Sequence, residues 1–405
     1  MVDYKIREEN IGADEDHLKN LENTPFCAKP YFPPNWPYFI NLQAYTKKSI
    51  NFWKSTLTRS YLLNLFKNTK FSQKSGIWSP RNCLARSKIA VIIPFRSISN
   101  DTESGREQEL TFYLYKMIVF LQLQRIEFKF YVIEQDWEDD FNRARLMNIG
   151  FVEARKEREE REISWDCYLF TDVDKFPVNF NLSMHCNNNQ QTVHYLPYLG
   201  GYGGIAQFTA ETILAINGFS NVFFGWGGED QDVAIRVEEA NKIFKKEVLI
   251  KKFNLIPNSN LYNKYAQMSP FIKSNLQKSL EMSADMYYNY KSSFFLETGH
   301  RGKGIDKGNA KSKNRQNLLS NAVERLSNDG LHNLKYKLLK VELEENFYIF
   351  GRYKVNFSRE EDERQAQQAP QANGLDQNID WVGLVLNHEC LKSLASVKKC
   401  YDNQI

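Results

Sequence analysis

Apolar positions along this chain first become regular at Lys88. The run Ile89-Ala90-Val91-Ile92-Ile93-Pro94 is short, continuous and closed by proline, which predicts a buried strand. The period then changes. From Arg106 to Gln124, Leu110, Leu114, Met117, Ile118 and Leu121 recur at helical spacing, so a helix is expected. Phe128 to Ile133 reads as a second strand, and Phe141 to Glu160 as a second helix, apolar early and charged late. Tyr168-Leu169-Phe170 reads as a third strand. Strand, helix, strand, helix, strand is the order of a right-handed parallel unit, so the predicted class is α/β. Ligands of such sheets bind at the carboxyl ends of strands, which directs the search to the loops after Pro94 and Phe170.

The rest of the chain is less regular. Residues 1–85 are broken by Pro25, Pro30, Pro33, Pro34 and Pro37, with only 41–67 compatible with a helix, and read as a stem-like segment. Gly200, Gly201, Gly203, Gly204, Gly218, Gly225, Gly227 and Gly228 mark a Gly-rich stretch. Residues 241–293 are polar without a strong motif, and Phe294-Phe295-Leu296 is a short apolar run before His300. Residues 301–317 read as a mobile loop, Tyr336–Leu339 and Phe347–Phe350 as late strands, and 359–378 as a flexible linker. No internal repeat is present.

Composition narrows the class. The 405 residues are 42% hydrophobic and 14% aromatic, enough for a substantial core, and their net charge of +4 gives no reason to expect nucleic acid. Lys245, Lys246, Lys251 and Lys252 read as a solvated face. No run approaches the roughly 18 apolar residues of a transmembrane helix, so no anchor is visible in the sequence. The six cysteines form no C-x-x-C pair, which argues against zinc; they fit three disulfides or six buried thiols equally.

Two constellations carry candidate chemistry. Asp172-Val173-Asp174 follows an apolar strand. A carboxylate there can hold a hard divalent cation against a diphosphate, and alternate residues of an extended segment face opposite sides, leaving the second Asp for loop or sugar. A turn or helix cap uses the same residues. Gly225-Trp226-Gly227-Gly228-Glu229-Asp230-Gln231-Asp232 combines close backbone approach, a ring to stack on a sugar, and carboxylates to take a proton or hydroxyl hydrogen bonds. A Gly-rich turn before an acidic helix N-terminus would look alike. His300 is either a metal ligand or an ordinary structural histidine.

In order along the chain, Ile92-Ile93-Pro94-Phe95-Arg96, the stretch from Phe141 to Phe151, Phe170-Thr171-Asp172-Val173-Asp174, Ile216-Asn217-Gly218-Phe219, Phe224 to Asp230, and Asp329-Gly330-Leu331 resemble the β-1,4-galactosyltransferase family, which includes invertebrate β-1,4-N-acetylgalactosaminyltransferases. The resemblance implies a GT-A type nucleotide-sugar-binding fold with a mostly parallel central sheet, a UDP-sugar donor (UDP-Gal or UDP-GalNAc), Mn²⁺ as cofactor and inversion at the anomeric carbon. The acceptor would be the 4-hydroxyl of a glycan on glycoprotein or glycolipid. By matching position, Pro94, Phe95 and Arg96 are expected at the uridine and phosphate, and Phe141 and Arg143 at the base and ribose. Asp172, Val173 and Trp226 complete the expected donor contacts. Asp174, His300 and Glu297 are the expected metal ligands, with Glu297 standing where the family has Met. Asp230 is the expected general base, beside Glu229; Tyr198, Gly228, Glu229, Asp230 and Arg315 are expected at the acceptor.

The resemblance also implies disulfides Cys27–Cys83 and Cys167–Cys186, with Cys390 and Cys400 unplaced. It implies a Golgi-lumenal, normally type II anchored protein, in which the sequons at Asn100, Asn181 and Asn356 are open to glycosylation. The catalytic domain is expected over 86–358, with an insertion at about 240–293 and a flexible extension over 359–405. Several positions depart from the family pattern. Ser97 and Ile98 follow Pro-Phe-Arg where a second Arg is usual, which makes Arg106 the counterpart; Gln231 and Gln316 replace an Asp and an aromatic of the acceptor side. These departures also suit a carbohydrate-binding pseudoenzyme. Gly201 stands where galactosyltransferases carry Tyr, which makes room for a 2-acetamido group.

Overall fold

The structure, a computed structural model, describes residues 25–27, 76–80, 83–97, 106–136, 140–161, 165–177, 182–186, 192–194, 202–225, 227–244, 295–297, 312–343 and 350–357. The first strand, β1 (Lys88–Phe95), is buried from Ile89 onward, as a continuous apolar run requires of a central strand. It does not end at Pro94. That residue stays in register opposite Ile133 of β2 (Glu127–Gln135), next to the strand's last position, where one lost N–H costs little. β1 also pairs in parallel with β3 (Cys167–Thr171), and β2 in parallel with β9 (Phe350–Asn356). With β5 (Thr192–His194), β6 (Ile205–Phe208) and β8 (Lys337–Leu343), the sheet order is β5-β6-β3-β1-β2-β9-β8.

The four central strands are parallel, and the expected α/β class with a parallel centre is what the fold shows. β5 and β6 on one side and β8 on the other are antiparallel. The last strand begins where the expected one ended. Tyr353, Val355 and Phe357 point into the core while Arg352 and Lys354 alternate with them, so charge hid the period.

Two helices cross over the parallel centre, α1 (Arg106–Leu123) after β1 and α2 (Arg143–Arg161) after β2. α2 begins two residues later than the apolar pattern suggested because Asn142 caps it: its Oδ1 accepts from the Arg145 N–H at 2.9 Å. At Gly150 a Cβ would meet Ile92 Cγ2 at 2.4 Å, so the glycine lets α2 lie close on β1. Further along are α3 (Ala210–Ala215), α4 (Glu229–Phe244), α5 (Ser312–Ser320) and α6 (Ala322–Arg325). β4 (Lys175–Pro177) and β7 (Phe295–Glu297) form a separate antiparallel ribbon. Residues 312–317, read from sequence as part of a mobile loop, are helical in α5; the helix expected over 41–67 lies outside the described residues.

Both expected disulfides are present: Cys27–Cys83 and Cys167–Cys186, with Cα separations of 4.8 and 5.9 Å. The first ties Phe26 to Leu84 through an isolated parallel bridge, and nearby Trp78 stacks on Phe128 at 5.4 Å. The sequon Asn356 is exposed at the end of β9, while Asn100, Asn181, Cys390 and Cys400 lie outside the described residues. Among the described residues no helix is long and apolar enough to cross a membrane.

Candidate active site

β3 delivers Asp172-Val173-Asp174 to its carboxyl end. The Asp172 N–H donates to Gly204 O (3.0 Å), Val173 is buried, and the Lys175 N–H donates back to Asp172 O (3.3 Å). The segment is therefore a turn rather than extended chain. Its two carboxylates do not face opposite sides; both reach one ammonium. Lys175 Nζ lies 3.1 Å from Asp172 Oδ2 and 3.0 Å from Asp174 Oδ1. The other oxygen of Asp172 accepts from Arg143 Nε at 2.6 Å.

Arg143, the first residue of α2, also reaches α4. Its Nη1 is 2.6 Å from Asp230 Oδ1 and 3.6 Å from Glu229 Oε1. Glu229 and Asp230 open α4, where the helix N-terminus favours negative charge. The Asp230 carbonyl accepts from the Tyr202 N–H at 3.0 Å, and Tyr202 itself is buried with its ring 5.2 Å from Phe208. One guanidinium thus joins the end of β3 to the first turn of α4.

The shared burial separates the carboxyls electrically. Burial works against ionised Asp172, but Arg143 and Lys175 overcome it and hold its pKa at about 2. Burial and then the Asp230 charge push Glu229 up to about 8, against the pull of Arg143. Burial also raises Asp230, with Arg143 and Lys175 opposing it and Asp172 assisting. Glu229 Oε2 is buried with no hydrogen-bond partner among the described residues. At neutral pH Glu229 is therefore a proton holder beside a second carboxyl.

Behind this face lies a fully buried ionic square. Arg236 Nε donates to Asp232 Oδ2 (2.5 Å), and Arg325 Nη2 to Asp232 Oδ1 (2.6 Å). Both arginines also reach Asp329, Arg236 Nη2 at 3.2 Å and Arg325 through a short pair. Ser220 Oγ and the Asn221 N–H bind the Asp329 carboxylate as well (2.5 and 2.7 Å). Gly330 is pressed on Asn217, where a Cβ would meet the carbonyl oxygen at 1.8 Å. The Asn217-Gly218-Phe219 and Asp329-Gly330-Leu331 blocks are thus one scaffold, and it fixes α4.

The remaining expected residues distribute as follows. The Arg96 guanidinium lies over the Phe141 ring (5.4 Å), and the Phe95 ring is covered by Arg352 (5.2 Å). Arg106 is paired with Glu109 at 3.2 Å, one turn into α1. Gly227 and Gly228 have φ of 96° and 105°, and a Cβ on Gly228 would lie 2.8 Å from Arg315 Cγ, so α5 packs Arg315 on the glycine turn beside Glu229. Glu297 is the backbone partner of Lys175 across the β4–β7 ribbon. Trp226, Gly201, Tyr198, His300 and Gln316's side chain lie outside what is described.

Comparison with known proteins gives the context. The family described as the N-terminal region of glycosyl transferase group 7 matches residues 46–187, and that described as the N-terminal domain of galactosyltransferase matches 183–256. Together they span about half of the chain. Beta-1,4-galactosyltransferase 6 of Rattus norvegicus is 35% identical over 261 residues, 61% of this chain and 65% of the relative. Beta-1,4-galactosyltransferase 5 of Homo sapiens is 33% identical over 271 residues, 63% and 66% of the two chains. This chain belongs to the β-1,4-galactosyltransferase family. It spans just under two thirds of the length of those curated relatives. A solved structure of a mutant Drosophila beta-1,4-galactosyltransferase 7, in complex with manganese, UDP-Gal and xylobiose, aligns with a TM-score of 0.39 and 23% identity, covering 67% of this chain and 94% of that one.

Within the family frame, four positions had no role in the sequence reading: Lys175, Gly203, Arg236 and Arg325. Lys175 carried a visible signal, a cation placed directly after an Asp-x-Asp motif. The two arginines carried none, since neither stands in a recognisable motif.

Proposed function

We propose that this chain is a manganese-dependent, inverting glycosyltransferase that moves galactose or N-acetylgalactosamine from a UDP-sugar to the 4-hydroxyl of an acceptor glycan in β-linkage. The observation that carries this reading is the simultaneous contact of Arg143 with Asp172 and Asp230. It joins the carboxylates suited to a metal and diphosphate to those suited to proton transfer, at the carboxyl end of a parallel sheet. Asp230 takes the proton of the attacking hydroxyl. Its raised pKa makes it a stronger base than a free aspartate, and Arg143 holds it in place. Glu229, protonated at neutral pH, donates a hydrogen bond to the acceptor. Arg315, packed on Gly228, flanks the acceptor side together with Tyr198. On the donor side Arg143, Arg96 and Phe141 hold the nucleotide with Pro94 and Phe95, and Trp226 closes over it.

The residue types suit the metal, although among the described residues no three such ligands are gathered. Asp174 offers carboxylate oxygen just after β3, and Glu297 is paired across the ribbon with Lys175, the residue that follows Asp174. Carboxylate oxygens and the imidazole of His300 are ligands that Mn²⁺ accepts. When bound, the ion neutralises charge on the diphosphate leaving group.

Gly201 supports use of UDP-GalNAc: no side chain crowds a 2-acetamido group there, and the neighbouring Tyr202 ring is turned into the core. On this reading the catalytic unit spans 86–358, with an insertion at about 240–293. The two disulfides support an oxidising lumenal compartment such as the Golgi. The test is sugar transfer from UDP-Gal and UDP-GalNAc to a panel of glycans with Mn²⁺ or with EDTA. Asp230→Asn is expected to lower turnover by about 10²–10⁴-fold. A chain that binds UDP-sugar but neither transfers nor hydrolyses it is a carbohydrate-binding protein instead.

A further inference from the structure

Among the described residues, Lys175 is an unassigned charge that touches the metal and donor carboxylates. Its Nζ is shared between Asp172 Oδ2 and Asp174 Oδ1 at 3.1 and 3.0 Å, and its side chain is only 20% exposed. Asp172 keeps a second cation, Arg143, on its other oxygen. Asp174 has only Lys175 among the ion pairs of the described residues. A divalent ion arriving at Asp174 therefore meets an ammonium already hydrogen-bonded to one of its two oxygens.

We infer that Lys175 makes metal binding and nucleotide binding depend on each other, because its ammonium holds Asp174 until a diphosphate supplies a replacement anion. This rests on the transferase reading of the site. The geometry supports it. A divalent ion taking Asp174 leaves Lys175 with Asp172 alone, whose other oxygen Arg143 already holds. A diphosphate arriving with the ion offers the ammonium an anion in exchange. Lys suits the task better than Arg would. Its ammonium is a compact point charge on a flexible stem, with three donors that can be redirected. Lys175 is also the first residue of β4, paired with Glu297, so its backbone stays fixed while the stem moves. By linkage, whatever the nucleotide does to metal affinity the metal does equally to nucleotide affinity. Lys175 thus disfavours a metal-loaded site with no donor in it.

The test reads binding rather than turnover. Free Mn²⁺ is followed by electron paramagnetic resonance during titration of the whole chain, with and without UDP. Lys175→Leu and Lys175→Gln are compared with the parent, and thermal melting confirms that each variant is folded. The parent is expected to bind Mn²⁺ weakly alone and much more tightly with UDP. Both neutral variants are expected to bind Mn²⁺ alone about tenfold more tightly, the worth of one charge-assisted hydrogen bond, so that the enhancement by UDP shrinks by a similar factor. Lys175→Arg, which keeps the charge, is expected to retain the enhancement. Neutral variants with Mn²⁺ affinity equal to or weaker than the parent's overturn the inference and leave the transferase reading standing. A parent that binds neither Mn²⁺ nor UDP overturns both.

Discussion

Gly203 lies against the carboxylate of Asp230: a Cβ built on Gly203 would stand 2.4 Å from Oδ2. Its Oδ1 is held by Arg143 at 2.6 Å. One carboxylate oxygen thus lies on the Gly203 backbone while the other is held by a guanidinium. Gly203 has no positive φ, so an alanine there suffers from the contact alone.

Gly203→Ala is therefore expected to displace the Asp230 carboxylate and lower kcat by at least about tenfold, since small misplacements of a reacting group are costly. Folding should survive. Steady-state kinetics beside a thermal melt checks this. Full activity in the variant would mean that the position of Asp230 is not critical.

Glu229 makes stability depend on pH. Its pKa is raised from 4.5 to about 8, so between those values the folded chain binds more protons than the unfolded one. This contribution is fully present below pH 4.5 and is lost as pH rises toward 8, by at most about 1.4 kcal/mol per unit. Glu229→Gln removes the titration. Its stability relative to the parent should rise steadily from pH 5 to pH 8 in urea unfolding; parallel profiles would show that Glu229 ionises normally.

Arg325 holds the buried square and, through Nη2, the carbonyl of Leu318 in the helix that carries Arg315 (2.7 Å). Arg325→Ala leaves Asp232 and Asp329 buried with one cation fewer. A loss of about 3–5 kcal/mol is expected, together with weaker acceptor binding as α5 loosens. A double-mutant cycle with Asp232→Asn should give a coupling of about 0.5–3 kcal/mol. Additive effects would place the two residues in separate networks.

Gly201 is expected to set the donor range. The parent should use UDP-GalNAc at least as well as UDP-Gal, and Gly201→Tyr should shift the ratio of kcat/KM toward UDP-Gal by tenfold or more, a steric penalty larger than a methylene-sized preference. A parent with strong UDP-Gal preference, unchanged in the variant, would refute this.

The central elements were legible because their signals are local. β1, β2 and β3 are buried on both faces, so apolar runs declare them, and α1 shows a helical period over many residues. The motif blocks were legible because their chemistry depends on residue type: a carboxylate pair after a strand, or glycines before acids, is informative wherever it stands. Those local signals, with the resemblance they carry, determined the α/β class, the family, the disulfide pairs and the carboxylates to examine. Tertiary structure decided which of those groups meet. Arg143 and Asp230 are 87 residues apart, and nothing in either neighbourhood names the other. Lys175, Arg236 and Arg325 had no role until folding placed each against carboxylates in low dielectric. Strand direction at the sheet edges was decided in the same way, by which partner is near in space. Burial and charge pairing depend on position, and position across such separations is a property of the packed chain.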